Sequence, residues 1–112
     1  KDVTVTQVAG TFTVQLSGQR LVEKAWIIQR DYGRLVVLVN NPAAITVSEF
    51  VLYRRSGTGA YQEVQRMPGS SILNGQGIFN NTFLESGVSY TYKVVALDAL
   101  GAALKESNEV TI

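Results

Sequence analysis

The side chains best suited to acid–base chemistry in this chain are its nine carboxylates: Asp2, Glu23, Asp31, Glu49, Glu63, Glu85, Asp98, Glu106 and Glu109. The chain has no His and no Cys. Without His, a Ser-His-Asp arrangement cannot form, and the commonest general base is missing. Without Cys there is no thiolate and no disulfide, and the commonest zinc ligands are gone as well. A glycosidase needs two carboxylates facing each other across a cleft. None of the nine is paired in sequence with an aromatic platform, so they are expected at turns and solvated strand positions. Gly57-Thr58-Gly59 and Gly75-Gln76-Gly77 do not lead into a helix or the GK[ST] motif of a phosphate loop. Asn80, Asn81 and Asp98 offer oxygen atoms for calcium, but without the dense ligand spacing of a calcium loop. The residues therefore predict a protein that is not an enzyme and uses no cofactor or metal.

Partner classes narrow in the same way. Ten basic residues against nine acidic ones leave a net charge of +1. Nucleic-acid binding calls for a clustered basic face. Arg54 and Arg55 are adjacent, and neighbours on a strand point to opposite faces. No stretch approaches the ~20 apolar residues of a membrane-spanning helix. The start Lys1-Asp2-Val3 suggests a fragment cut from a longer chain. The 112 residues, 46% hydrophobic and 17% charged, suit one folded domain with its own core.

Strand signals dominate the elements that must carry these residues. Val3, Val5 and Val8 lie among polar residues up to Gly10. Phe12, Val14 and Leu16 then alternate with Thr11, Thr13 and Gln15. Ser17-Gly18-Gln19 and Asp31-Tyr32-Gly33 have turn composition. Between them, Leu21 to Gln29 fits either a helical turn or irregular extended chain, and the surrounding strands favour the extended form. Leu35 to Val39 is a continuous apolar run suited to a buried strand, ended by Asn40-Asn41-Pro42. Val47 to Arg55 places Phe50 and Leu52 on one face and Val51 and Tyr53 on the other. Ser56-Gly57-Thr58-Gly59 is a hairpin loop before Tyr61 to Arg66. Pro68-Gly69 and Asn74-Gly75 are further turn signals before the strand Ile78 to Phe83. Tyr90, Tyr92, Val94 and Ala96 alternate along the next strand, and Leu104 to Ile112 closes the chain. Seven or eight short strands, with turns every ~8–12 residues, predict an all-β, immunoglobulin-like antiparallel sandwich.

Several of these segments together resemble a fibronectin type III domain, over about Leu16 to Ile112. Val47-Ser48-Glu49-Phe50-Val51-Leu52-Tyr53-Arg54 is similar to the family's I-x-x-Y-x-V-Y-R strand. The run from Leu84 through Gly87 to Tyr90, of the form Leu-x-x-Gly-x-x-Tyr, matches its tyrosine corner. Tyr92 to Asp98 and Ser107 to Val110 look like its last two strands. The resemblance implies fibronectin type III topology, and a Tyr90 hydroxyl bonded to backbone a few residues upstream. Two departures stand out. Val39, ahead of Pro42, holds the place of the family's core Trp, and Trp26 is expected to supply the missing aromatic volume; the alternative is an interface role for Trp26. The segment Leu21 to Gly33 is longer than the family's ordinary first loop, as in modules of bacterial exported proteins.

Asp2-Val3-Thr4-Val5 resembles Glu109-Val110-Thr111-Ile112. Residues 1–11 are therefore read as a linker or the last strand of a preceding module, and 12–112 as the sandwich. The alternative makes the segment this domain's own first strand. An orphaned strand at residues 1–7 would offer an edge for self-association. Candidate contact regions are the loops Asn40 to Thr46, Ser56 to Ala60 and Asp98 to Ala103. Among side chains, Tyr53, Tyr61 and Arg55 form the candidate binding surface, and Tyr32 is a further aromatic. Asn80-Asn81-Thr82 fits the glycosylation sequon. The expected function is a non-catalytic spacer or protein-interaction module of a secreted, periplasmic or cell-surface protein. The alternative is an accessory carbohydrate-binding module of a secreted hydrolase, with a polysaccharide in place of a protein partner.

Overall fold

A computed structural model describes residues 12–25 and 28–112. The readings on residues 1–11 and on Trp26 fall outside the described residues. Eight strands follow in order: β1 (Thr13–Ala25), β2 (Ile28–Asn40), β3 (Glu49–Ser56), β4 (Gln62–Pro68), β5 (Gln76–Leu84), β6 (Tyr90–Leu97), β7 (Ala103–Glu106) and β8 (Val110–Thr111). They form two antiparallel sheets. One has the order β1-β2-β5; the other runs β4-β3-β6-β7, with β8 also on β6. This is an immunoglobulin-like β-sandwich.

Alternation builds the core. Val14 and Leu16 from β1, Leu35 and Val37 from β2, and Phe79 and Leu84 from β5 face Phe50 and Leu52 of β3 and Tyr90, Tyr92, Val94 and Ala96 of β6. Phe12 joins them, and Val39 is half-buried against the same cluster. Its N–H donates to the Gly75 carbonyl at 2.7 Å, so the position expected for the family's Trp carries a small packing residue.

The structure corrects two predicted turns. Ser17-Gly18-Gln19 lies within β1 and Asp31-Tyr32-Gly33 within β2, which pair without interruption from Thr13↔Asn40 to Ala25↔Ile28. The glycines are there for space. A Cβ on Gly18 would come 2.8 Å from both Leu35 and Val110 side chains, and one on Gly33 would come 2.8 Å from the Ile112 side chain. Glycine inside a strand often marks such a close approach. The last residues of the chain thus fit into two slots cut in the first two strands.

Asn74-Gly75 does form a tight turn. Both residues have positive φ, 55° and 76°, and Leu73 and Gln76 exchange two backbone bonds across it. That is the left-handed pair a two-residue hairpin needs. The C-terminal edge of the larger sheet is interrupted. β7 and β8 pair with β6 in succession, separated by Ser107-Asn108-Glu109. At the break, the Ser107 Oγ accepts from the Val94 N–H at 2.8 Å. The Asn108 side chain turns to the other sheet: Oδ1 accepts from the Leu16 N–H at 2.8 Å, and Nδ2 donates to the Leu16 carbonyl at 2.9 Å. One carboxamide acts as a strand partner for β1 and ties the sheets together.

Candidate functional site

Alternation also decides what the larger sheet shows to solvent. With Phe50, Leu52, Val94 and Ala96 inside, Val51, Tyr53, Arg55, Thr91, Lys93, Val95 and Leu97 belong to the outer face. The register sets Val51 opposite Val95, Tyr53 opposite Lys93 and Arg55 opposite Thr91. Arg66 stands across from Val51 on β4, and Glu106 across from Val95 on β7. Val51 and Val95 are buried although they lie outside the main core cluster.

The three predicted surface residues come together on this face. Tyr53 and Tyr61 line one shallow depression with Lys93, Val95, Leu97, Gly101, Ala103 and Glu106. The Arg55 guanidinium lies 4.7 Å from the Tyr61 ring centroid, and the Lys93 Nζ lies 4.6 Å from it. Both are cation–π distances. The Tyr61 hydroxyl donates to Glu109 Oε2, and the same carboxylate pairs with Arg55 at 3.6 Å. Burial, and then the Glu109 hydrogen bond, push the Tyr61 hydroxyl up to about 12. It therefore stays neutral and donating across the physiological range. The Arg55 Nε is buried with no hydrogen-bond partner among the described residues, while its guanidinium meets the ring and Glu109. Lys93 also pairs with Glu106 at 3.3 Å. At the β4 edge, Arg66 bonds Glu49 and Glu63, each at 2.7 Å, and its hydrogen bond to Glu63 holds that carboxyl below its ordinary range.

The arrangement is a lattice of alternating charges around aromatic rings. It offers broad contact. Lys93, Glu106 and Glu109 were not assigned to this face from the sequence. The same alternation that buries Tyr92 and Val94 would have put Lys93 on this face, whereas the position of Glu109 depends on the edge break.

A second polar cluster surrounds the corner. The Tyr90 hydroxyl accepts from the Glu85 N–H at 3.1 Å, as the resemblance implied. Arg20 donates to the carbonyls of Glu85 and Val88 and pairs with Asp31 at 2.9 Å. Arg54 stands 4.8 Å from the Tyr90 ring centroid and donates to Asn81 Oδ1 at 2.8 Å. That oxygen also takes the Tyr92 hydroxyl at 2.7 Å. Asp31 is the exception to the expected solvated carboxylates: it is buried. Hydrogen bonds from Gln29 and Arg20 hold its carboxyl below the usual value. Arg54 and Arg55 do diverge to opposite faces.

The other candidates stay apart or are already used. Asp98 Oδ1 accepts from the N–H groups of Leu100 and Ala102, closing its own turn, while Asn81 is occupied by Arg54 and Tyr92. The suggested calcium ligands therefore serve different structures. In the loop after β2, the Asn41 carboxamide bonds both backbone groups of Ile45. The depression beside it, lined by Val39, Ile45, Val47, Phe50 and Ile72 among others, has no titratable side chain. Among the described residues no three acidic side chains gather into a metal site, and no helix is long and apolar enough to cross a membrane.

No protein-family model matches the chain, and no curated protein matches it. Among solved structures, it is similar to the pectate lyase PelI of Erwinia chrysanthemi in complex with tetragalacturonic acid. The TM-score is 0.53 and the identity 16%, over 88% of this chain and 28% of that one. The likeness is one of fold, and the chain spans less than a third of that protein's length.

Proposed function

We propose that this chain is a fibronectin type III-like module of a larger exported or cell-surface protein, acting as a non-catalytic spacer and protein-interaction domain. The strand order 1-2-5 against 4-3-6-7 and the corner bond from Glu85 to Tyr90 support the family reading. The observation that carries the function is the Tyr61 ring within cation–π distance of both Arg55 and Lys93, beside Tyr53. Tyr and Arg are the residues that most often anchor protein interfaces, and here they are fixed before any partner arrives, which lowers the entropic cost of binding.

The full-length parent protein tests this. A photo-crosslinking residue in place of Tyr53, in the parent expressed in its own cell, should yield one dominant protein adduct. Arg55→Glu should abolish it. Diffuse labelling indifferent to Arg55, or turnover of a substrate by this domain alone, counts against the reading.

The second reading is an accessory carbohydrate-binding module. Its support is that the similar solved structure aligns with part of a polysaccharide-cleaving chain, a likeness of fold alone. Tyr61 already holds two cations within 4.7 Å of its ring centroid and is less exposed than Phe83. Sugar binding needs a freer aromatic.

A further inference from the structure

The freer aromatic is Phe83. Near the end of β5 the register slips: Asn81 pairs with Gly33 and Leu84 with Asp31. Thr82 and Phe83 together therefore oppose the single residue Tyr32. This is a β-bulge, a device that re-aims a side chain. Phe83 has φ 63°, a conformation bulky residues rarely adopt. It is 75% exposed, while Leu84 beside it is buried. Without the bulge, the alternation from Phe79 through Asn81 would point Phe83 inward. The fold thus spends backbone strain to hold a phenyl ring in water.

The surroundings of the ring indicate a ligand class. Phe83, Tyr32, Arg30, Glu23, Asp31, Asn80 and Thr82 line one cleft of about 200 Å³, in which Asp31 is already engaged by Arg20 and Gln29. That is below the ~300–1,000 Å³ of a drug-sized site, and it suits one ring of a longer molecule. Arg30, Tyr32 and Arg34 share the outer face of β2, each about 6–7 Å from the next. The Arg30 guanidinium lies 5.8 Å from the Phe83 centroid. None of the ion pairs among the described residues involves Arg30 or Arg34; Glu23 stands opposite Arg30 on β1. Asn80 stands opposite Arg34 across the sheet.

We infer that this strip binds an acidic polysaccharide through its hexuronate units. The apolar C–H face of a pyranose ring would lie on Phe83 and Tyr32. Arg30 or Arg34 would take the carboxylate with its forked donors, a geometry suited to planar anions. Asn80, Thr82 and Glu23 would bond ring hydroxyls. A one-ring cleft with an exposed phenyl face and the Arg30 guanidinium on its wall suits a sugar ring better than a protein surface. The inference rests on the accessory-module reading and is independent of the Tyr53–Tyr61 face.

Affinity gel electrophoresis of the domain in its parent protein provides the test, with polygalacturonate, alginate, dextran and dextran sulfate as separate gel additives. Retardation is expected with polygalacturonate or alginate and not with dextran. Phe83→Asn should weaken it about tenfold or more, the scale of one lost aromatic contact. Its thermal midpoint should not fall, because Asn tolerates positive φ. Arg30→Ala with Arg34→Ala should also weaken it at least tenfold. The inference is overturned by equal retardation in dextran, by no retardation in either uronate gel, or by dextran sulfate retardation that outlasts uronate retardation and ignores Phe83. Retention lost on Tyr53→Ala with Tyr61→Ala but kept in Phe83→Asn overturns this site and leaves a carbohydrate-binding module standing.

Discussion

Tyr90 shows how much one hydroxyl can organise. Its ring is buried between two guanidiniums, with centroid distances of 5.9 Å to Arg20 and 4.8 Å to Arg54, and its oxygen takes the Glu85 N–H. Tyr90→Phe keeps the packing and orphans that donor. It should lower stability by about 1–2 kcal/mol, seen as a lower urea midpoint at unchanged slope. An unchanged midpoint would show that water satisfies Glu85. Asp31 next to it gives the corner a pH dependence. Its carboxyl is held below the ordinary 3.8 by Gln29 and Arg20, so the folded state favours the ionised form. That contribution is present above the unfolded value and is lost as pH falls through the lowered one. Urea midpoints measured from pH 6 down to pH 2 should therefore fall less steeply in Asp31→Asn than in the wild type. Parallel acid limbs in the two proteins would remove Asp31 from the acid response. Arg20 clamps the loop carbonyls and Asp31 together, and nothing in its sequence neighbourhood announced that, because its partners lie 11 to 68 residues away.

At the scale of elements, the sequence was legible wherever one face is buried and the other solvated. Phe50 and Leu52 against Val51 and Tyr53, and the row Tyr90, Tyr92, Val94, Ala96, assign their own faces, because the period of a strand is two. Asn74-Gly75 was legible because only a few residues accept left-handed backbone. Gly18 and Gly33 were not, since the same residue type also serves close packing, and what they accommodate arrives from the far end of the chain. Phe83 was hidden for a related reason: a bulge breaks the period on which its orientation would be read. The join between the sheets is equally non-local. Asn108 satisfies both backbone groups of Leu16, a residue 92 positions earlier. Asn108→Ala should cost ~1–3 kcal/mol, because two strand-edge groups lose their partners. Asn108→Asp should be intermediate, since it retains the acceptor for the Leu16 N–H and loses the donor. Hydrogen exchange at the Leu16 amide tests this: protection should fall in Asn108→Ala, and unchanged protection would rule out the bridge.

For the molecule as a whole, the two outer faces differ in character. The larger sheet carries a pre-formed aromatic and charge lattice. The smaller one carries the exposed Phe83 ring beside Arg30, with the core of the sandwich between them. Both depend on closure by the last six residues. Val110 and Ile112 pack on the core beside Gly18 and Gly33. Ile112 exchanges two backbone bonds with Tyr90, at 3.0 and 2.9 Å, and Asn108 secures β1. Ending the chain at Glu106 removes all three and leaves the two glycine slots empty over Leu35 and Tyr92. Partial burial of two aliphatic side chains, with the lost bonds, amounts to roughly 3–6 kcal/mol. A domain of this size has a total stability of only ~5–15 kcal/mol. The truncated chain should therefore unfold at a much lower temperature or without a cooperative transition, as followed by circular dichroism or calorimetry. The effect should reach residues distant in sequence: the Leu16 amide and the indentation at Gly33 should lose protection together. A truncated chain that melts at the wild-type midpoint would mean that the first two strands hold the sandwich shut without the last one.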